Sequence, residues 1–204
     1  MYWYEEEVNS LILKKEKLSF NPETIFYGSS SIRLWESIPE DFIDYLPVNL
    51  GFGGSTLAAC VWFFDRIVGP YDPKRIVFYA GDNDLGDGRT PEEVFIFFQQ
   101  LTLKIKEHFG AIPCYFISLK PSPKRWNIKD AFEYANSLIA QEITAKEKNW
   151  KFINIYPQMI GADGLPVKRY FDDDGLHLTA DAYKIWRLAI LAELGHYYPD
   201  LTHF

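Results

Sequence analysis

Cysteine is scarce in this chain. Cys60 and Cys114 are the only two in 204 residues, far apart and outside any ligand-like spacing. That rules out a disulfide-stapled scaffold and a cysteine-based zinc site. Free, buried thiols in a reducing compartment are expected, although the spacing leaves a disulfide open. No apolar run approaches the roughly 20 residues of a spanning helix. Basic character is also short: 21 Lys and Arg stand against 28 Asp and Glu, a net charge of −7, with no basic run. A nucleic-acid partner needs a clustered cationic footprint, and a membrane surface a polybasic patch; neither is expected here. The first residues, Met1-Tyr2-Trp3-Tyr4-Glu5-Glu6-Glu7, are acidic where a secretory signal is basic and then apolar. With no repeat, linker or low-complexity tract, one cytoplasmic domain over 1–204 is expected.

What is present is a 48% apolar composition, ample for a core, and an alternation of short β-rich runs with helical patterns. Strands are predicted over 24–27, 46–50, 75–80, 112–119 and 151–155. Most are nearly continuous apolar runs, as in strands covered on both faces. The first helix has Val8 and Leu11 on its apolar face, Glu5–Glu7 at its start and Lys14, Lys15 and Lys17 at its end, an order that suits the helix dipole. The second carries Leu57, Val61, Phe64 and Val68. The third begins with a capping box, Thr90 and Glu93, around Pro91. Its expected buried face is Val94, Phe97, Phe98, Leu101 and Ile105. Phe132, Ala135, Ile139 and Ile143 mark the fourth, and Tyr183, Trp186, Ile190 and Leu194 the last. Right-handed crossovers make this a five-stranded parallel sheet with helices on both faces, which binds ligands beyond its carboxyl edge.

Four segments should meet at that edge. They are Gly28-Ser29-Ser30-Ser31, Gly51-Phe52-Gly53-Gly54-Ser55, Gly81-Asp82-Asn83-Asp84 and Asp172-Asp173-Asp174-Gly175-Leu176-His177. Together they supply a hydroxyl, an imidazole with a carboxylate three residues before it, and small residues with open N–H groups. A serine attacks only when a base takes its proton, and a neutral imidazole held in one tautomer by a carboxylate suits that task. Gly54 N–H and the Asn83 side chain are donors for a developing oxyanion. Which of the three serines attacks is open at this level.

These blocks, in this order, resemble those of the SGNH hydrolases, or GDSL-type esterases. Gly28-Ser29-Ser30 is similar to their first block, Gly54 to the second, Gly81-Asp82-Asn83-Asp84 to the third and Asp174-Gly175-Leu176-His177 to the last. The likeness implies a flavodoxin-like α/β/α sandwich and hydrolysis of esters of small or short-chain acyl groups through an acyl-enzyme, without a metal or other cofactor. It also implies Ser30 as nucleophile, His177 as base and Asp174 as its orienting partner. Ser30 N–H, Gly54 N–H and Asn83 would be the oxyanion donors. The chain departs from the family at Ser29, where Asp is usual; fine geometry and substrate preference should feel this before the mechanism does.

Other readings are weaker. A dinucleotide fingerprint lacks its third glycine, since position 56 is Thr. A calcium loop would need glycine where Asp87 stands. A flavodoxin-like module that holds an anion or small molecule without chemistry is the main alternative, and no P-loop supports it. His108 sits at a helix end, where a structural role is expected. His196 and His203 have no nearby acid at useful spacing. Trp126, beyond the fourth strand, is a candidate pocket wall.

Overall fold

The computed structural model describes residues 1–195. A first helix, α1 (Glu5–Lys17), precedes the sheet, and β1 (Thr24–Gly28) is buried along its whole length. After β1 come two single-turn helices, α2 (Ser30–Arg33) and α3 (Ile38–Asp41), then β2 (Pro47–Gly51) and α4 (Leu57–Ile67). β3 (Arg75–Tyr79) leads into a short α5 (Asp82–Gly86) and the long α6 (Pro91–Phe109). The chain then runs through β4 (Cys114–Ile117), a 3-10 turn (Pro123–Ile128), α7 (Lys129–Ala145), β5 (Trp150–Ile153) and α8 (Ala180–Leu194).

All five strands are parallel, in the order β2-β1-β3-β4-β5. Side chains alternate across a strand, so neighbouring residues of β1 feed opposite layers. Phe26 packs on Trp35 and Phe42, while Tyr27 packs on Phe52 and on Phe64 of α4. α6 lies between α4 and α7 in one layer. α8 joins the other through Tyr183 and Trp186, both against Trp35. The α/β architecture expected from the sequence is therefore the one observed.

The register decides where the chemistry sits. Gly28 pairs with both Gly51 and Tyr79, so β1, β2 and β3 end level with one another. Their following segments leave from one edge, and β1 and β3 part there toward opposite layers. That is the topological switch point at which doubly wound sheets place their ligands. Gly28 has a φ of 145°, and a Cβ there would lie 1.9 Å from the Tyr79 carbonyl oxygen. Only glycine lets β1 turn toward Ser30 at this distance from β3.

Several elements differ from the sequence reading. Leu46 is outside β2: it adopts a left-handed conformation at φ 45° and is exposed, so the strand starts at Pro47. A proline is tolerated there because β2 is an edge strand. Phe97 is half-buried rather than core, with the Arg89 guanidinium over its ring at 5.6 Å. β4 is shorter than 112–119: it spans Cys114–Ile117, after Pro113, and the Leu119 backbone bonds the Asn136 side chain instead of a strand. The capping box of α6 is present as expected, with Thr90 and Glu93 each accepting the other's backbone N–H. Both cysteines are buried and free, and His196 and His203 lie outside the described residues.

Gly28→Ala should lower the unfolding free energy by at least about 2 kcal/mol, since a forbidden φ and a backbone clash act together. Urea denaturation measures it, with Gly164→Ala as a comparison that has a positive φ of 75° but no atom within 4 Å of the added methyl, so that the excess loss at Gly28 reports the clash. Equal midpoints for Gly28→Ala and wild type would contradict the packing described.

Candidate active site

The three serines after β1 have different surroundings. Ser29 is buried and its hydroxyl has no hydrogen-bond partner among the described residues. Ser31 is buried too, and its Oγ accepts from Lys120 Nζ at 3.1 Å. Ser30 alone stands half-exposed, with His177 Nε2 3.2 Å from its Oγ. Of the three hydroxyls, that of Ser30 is the one in contact with the His177 ring.

His177 reaches Ser30 from a short loop closed by the bridge between Phe171 and Leu178. Asp172 N–H donates to the His177 carbonyl at 2.9 Å, and Gly175 turns the chain at a φ of 66°. Asp174 Oδ1 accepts the N–H groups of Leu176 and His177 at 2.8 and 3.0 Å, an Asx-type turn. Its Oδ2 is 2.5 Å from His177 Nδ1. The three-residue spacing thus shapes the loop and orients the ring with one carboxylate. Burial works to raise the Asp174 pKa, but the two backbone N–H groups and the imidazole outweigh it and hold the carboxyl at about 2. A neutral imidazole that donates Nδ1–H to the ionised Asp174 would present Nε2 to Ser30 as an acceptor. Asp172 and Asp173 are exposed, as a solvated loop should be.

The segments that follow β1, β2 and β3 also carry groups able to donate. The N–H groups of Ser30 and Gly54 donate to no other described residue. Gly54 is exposed at a φ of 63°, and the loop around it is held by α1 and the turn before it: Gly53 N–H donates to Glu7 at 2.6 Å, and Tyr4 Oη donates to the Gly54 carbonyl at 3.0 Å. Asn83 is buried at the start of α5. Its Nδ2 donates one hydrogen to the Ser55 carbonyl at 3.0 Å, which leaves the other unused, and its Oδ1 accepts from Arg125 at 2.9 Å.

Beneath Ser31 and Asn83 runs a buried ionic cluster that the sequence reading missed. Lys120 Nζ lies 2.8 Å from Asp82 Oδ2 and 3.2 Å from the Tyr79 hydroxyl, and Arg125 Nη1 is 3.5 Å from the same Asp82 oxygen. Burial pushes the Asp82 carboxyl up, yet Lys120 and Arg125 prevail and keep it below the usual range. Asp84, fully buried, caps α4 by accepting Leu57 N–H at 2.6 Å and meets Arg89 at 3.0 Å. Asp82, Asn83 and Asp84 are thus each engaged with protein partners. No group of His, Cys, Asp or Glu among the described residues is arranged to hold a metal ion. Trp126 is half-buried, with Lys129 Nζ 5.8 Å from its ring centre. His108 bonds Asp65 at 2.9 Å at the far end of α6, in the structural role expected of it.

Residues 24–185 match the model of the GDSL-like lipase/acylhydrolase family. The chain belongs to that family, and is a carboxylic-ester hydrolase of its kind. No curated protein matches the chain. Among solved structures it is similar to a protein from Streptococcus pneumoniae, at 19% identity over 95% of each chain with a TM-score of 0.79. A GDSL-like lipase from Bacteroides thetaiotaomicron shares 23% identity over 94% of this chain and 98% of its own, with a TM-score of 0.78. An acetyl esterase mutant solved with acetate ion shares 14% over 85% and 96%, at 0.68. At these identities the structures attest the fold. No helix among the described residues is long and apolar enough to cross a membrane.

The depressed Asp174 pKa makes a signed prediction. Its folded value of about 2 lies below the ordinary 3.8, so the carboxylate's contribution to stability is complete above about pH 3.8 and is lost as pH falls through about 2. Carbon-13 NMR of the Asp174 carboxyl should show a midpoint near pH 2 that moves upward in His177→Ala. An unmoved midpoint in that variant would separate the two side chains.

Proposed function

We propose that this hydrolase is a serine esterase in which Ser30 attacks, His177 carries the proton and Asp174 orients the imidazole. The observation that supports it is the pair of contacts on one ring, 3.2 Å from Nε2 to Ser30 Oγ and 2.5 Å from Nδ1 to Asp174. In this reading Ser30 Oγ bonds to the ester carbonyl carbon as its proton moves to His177 Nε2. The carbonyl oxygen takes up the negative charge and is met by Ser30 N–H, Gly54 N–H and Asn83 Nδ2. The carbon–oxygen bond to the alcohol then breaks, and His177 returns the proton to the departing oxygen. Water, deprotonated by the same nitrogen, attacks the acyl-serine; carboxylic acid leaves and Ser30 regains its hydrogen.

Small or short-chain acyl groups are the proposed substrates, in keeping with the acetyl esterase that shares the fold. Trp126, beyond β4, would border the bound substrate. Membership of a hydrolase family favours this reading over a non-catalytic binding module. Two free, buried thiols suit a reducing compartment such as the cytoplasm.

A fluorophosphonate probe followed by peptide mass mapping should place the adduct on Ser30. Ser30→Ala should lose the label and at least about 10³-fold in kcat toward p-nitrophenyl acetate. A label on Ser29 or Ser31, or full turnover by Ser30→Ala, would refute the assignment. Asn83→Ala should cost about 10²- to 10³-fold in kcat with a smaller change in KM, as loss of an oxyanion donor does.

A further inference from the structure

Arg125 lies outside all four blocks, yet its guanidinium touches the third. Nη2 donates to Asn83 Oδ1 at 2.9 Å, while Asn83 Nδ2 donates to the Ser55 carbonyl at 3.0 Å. Both ends of the amide are therefore engaged, in only one of its two orientations. A flipped amide would set its NH2 group against a cation and its oxygen against a carbonyl. The guanidinium is itself held closely. It rests on Gly86, where a Cβ would come within 2.6 Å of Nε and 2.7 Å of Cζ. It also faces Asp82 Oδ2 at 3.5 Å, the same oxygen that Lys120 holds at 2.8 Å. The same 3-10 turn reaches the acid–base loop, for Lys124 N–H donates to the Gly175 carbonyl at 3.0 Å. One turn thus bridges the segment that carries Asn83 and the segment that carries Asp174 and His177.

We propose that Arg125 is a positioning residue for the oxyanion hole, locking the Asn83 amide so that its unused N–H faces the reacting carbonyl oxygen. This rests on the reading of Asn83 as an oxyanion donor. A planar fork fits the role: one N–H reaches Oδ1 while another faces Asp82, and a lysine presents no such pair. Arg125 acts through Asn83, so its removal should affect the step in which charge develops on oxygen and leave ground-state binding largely intact.

The test is a mutant cycle on p-nitrophenyl acetate with Arg125→Ala, Asn83→Ala and the double variant. Arg125→Ala should lose about tenfold or more in kcat, with KM within about twofold of wild type. The double variant should be no slower than Asn83→Ala within about twofold, because the two residues act as one unit. Guanidinium ion added at millimolar concentration should restore part of the Arg125→Ala rate and none of the Asn83→Ala rate. Full kcat in Arg125→Ala, additive losses, or a defect in KM alone would overturn the proposal. If Arg125→Ala does not fold by circular dichroism, Gly86→Ala takes its place, since its methyl group displaces the guanidinium while keeping the arginine. The same fall in kcat is then expected, and wild-type turnover would count against the idea. A wild-type enzyme that neither turns over the ester nor takes a label on Ser30 would instead refute the serine-esterase reading beneath it.

Discussion

One imidazole joins the two ends of the fold. His177 touches Ser30 across 147 residues of sequence, and the site exists only because α8 and β1 are held in a fixed relation. That contact cannot hold itself, since a net hydrogen bond contributes only about 1 kcal/mol. Packing does the holding. Trp35, Tyr183 and Trp186 form a buried cluster in which Trp35 stacks on Tyr183 at 4.9 Å, and Trp186 meets Tyr79 of β3 at 4.8 Å. Each such ring buries about 150–250 Å², and at about 25 cal/mol per Å² one ring outweighs several hydrogen bonds. The Tyr183 hydroxyl then donates to the Ser31 carbonyl at 2.9 Å, pinning α8 to the residue beside the proposed nucleophile.

Charge is arranged around the site by a similar logic. The carboxylate beside His177 is partly exposed and gains from backbone donors, so it stays ionised at little cost. The carboxylate beneath Asn83 is buried, and a buried charge is tolerated only when it is paired. Asp82 has two cations for this, Lys120 and Arg125; Lys120 reaches Ser31, the neighbour of the proposed nucleophile, and Arg125 reaches Asn83. A buried ion cluster is weak evidence of net stability. Its geometric consequence is firmer, because the contacts of Lys120 to Ser31 and of Arg125 to Asn83 share one buried anchor in Asp82.

Much of this was legible in the amino-acid sequence. Continuous apolar runs mark buried parallel strands, and a parallel sheet sends every post-strand segment to one edge, so Ser30, Gly54 and Asn83 could be grouped before any coordinates. Asp174 and His177 were legible because their partnership is local. Arg125 and Lys120 were not. They meet Asn83 and Asp82 across 42 and 38 residues, and nothing in hydropathy or periodicity encodes such pairs. In the segment after β4 the aromatic Trp126 is the conspicuous residue, whereas the adjacent Arg125 makes the contact with Asn83. α2 and α5 span four and five residues, too few to show a helical period. Residue chemistry alone left the three serines equivalent and the family resemblance pointed to Ser30; in the structure the burial of Ser29 and Ser31 and the position of His177 set Ser30 apart.

In the proposed mechanism the Ser30 hydroxyl gives its proton to His177 while the N–H groups of Ser30, Gly54 and Asn83 receive the oxyanion. The most direct test is a crystal structure of the phosphonylated enzyme. The account predicts phosphorus on Ser30 Oγ, with the phosphoryl oxygen about 2.7–3.1 Å from Ser30 N, Gly54 N and Asn83 Nδ2. A phosphoryl oxygen turned to solvent, or an adduct on another side chain, would contradict it.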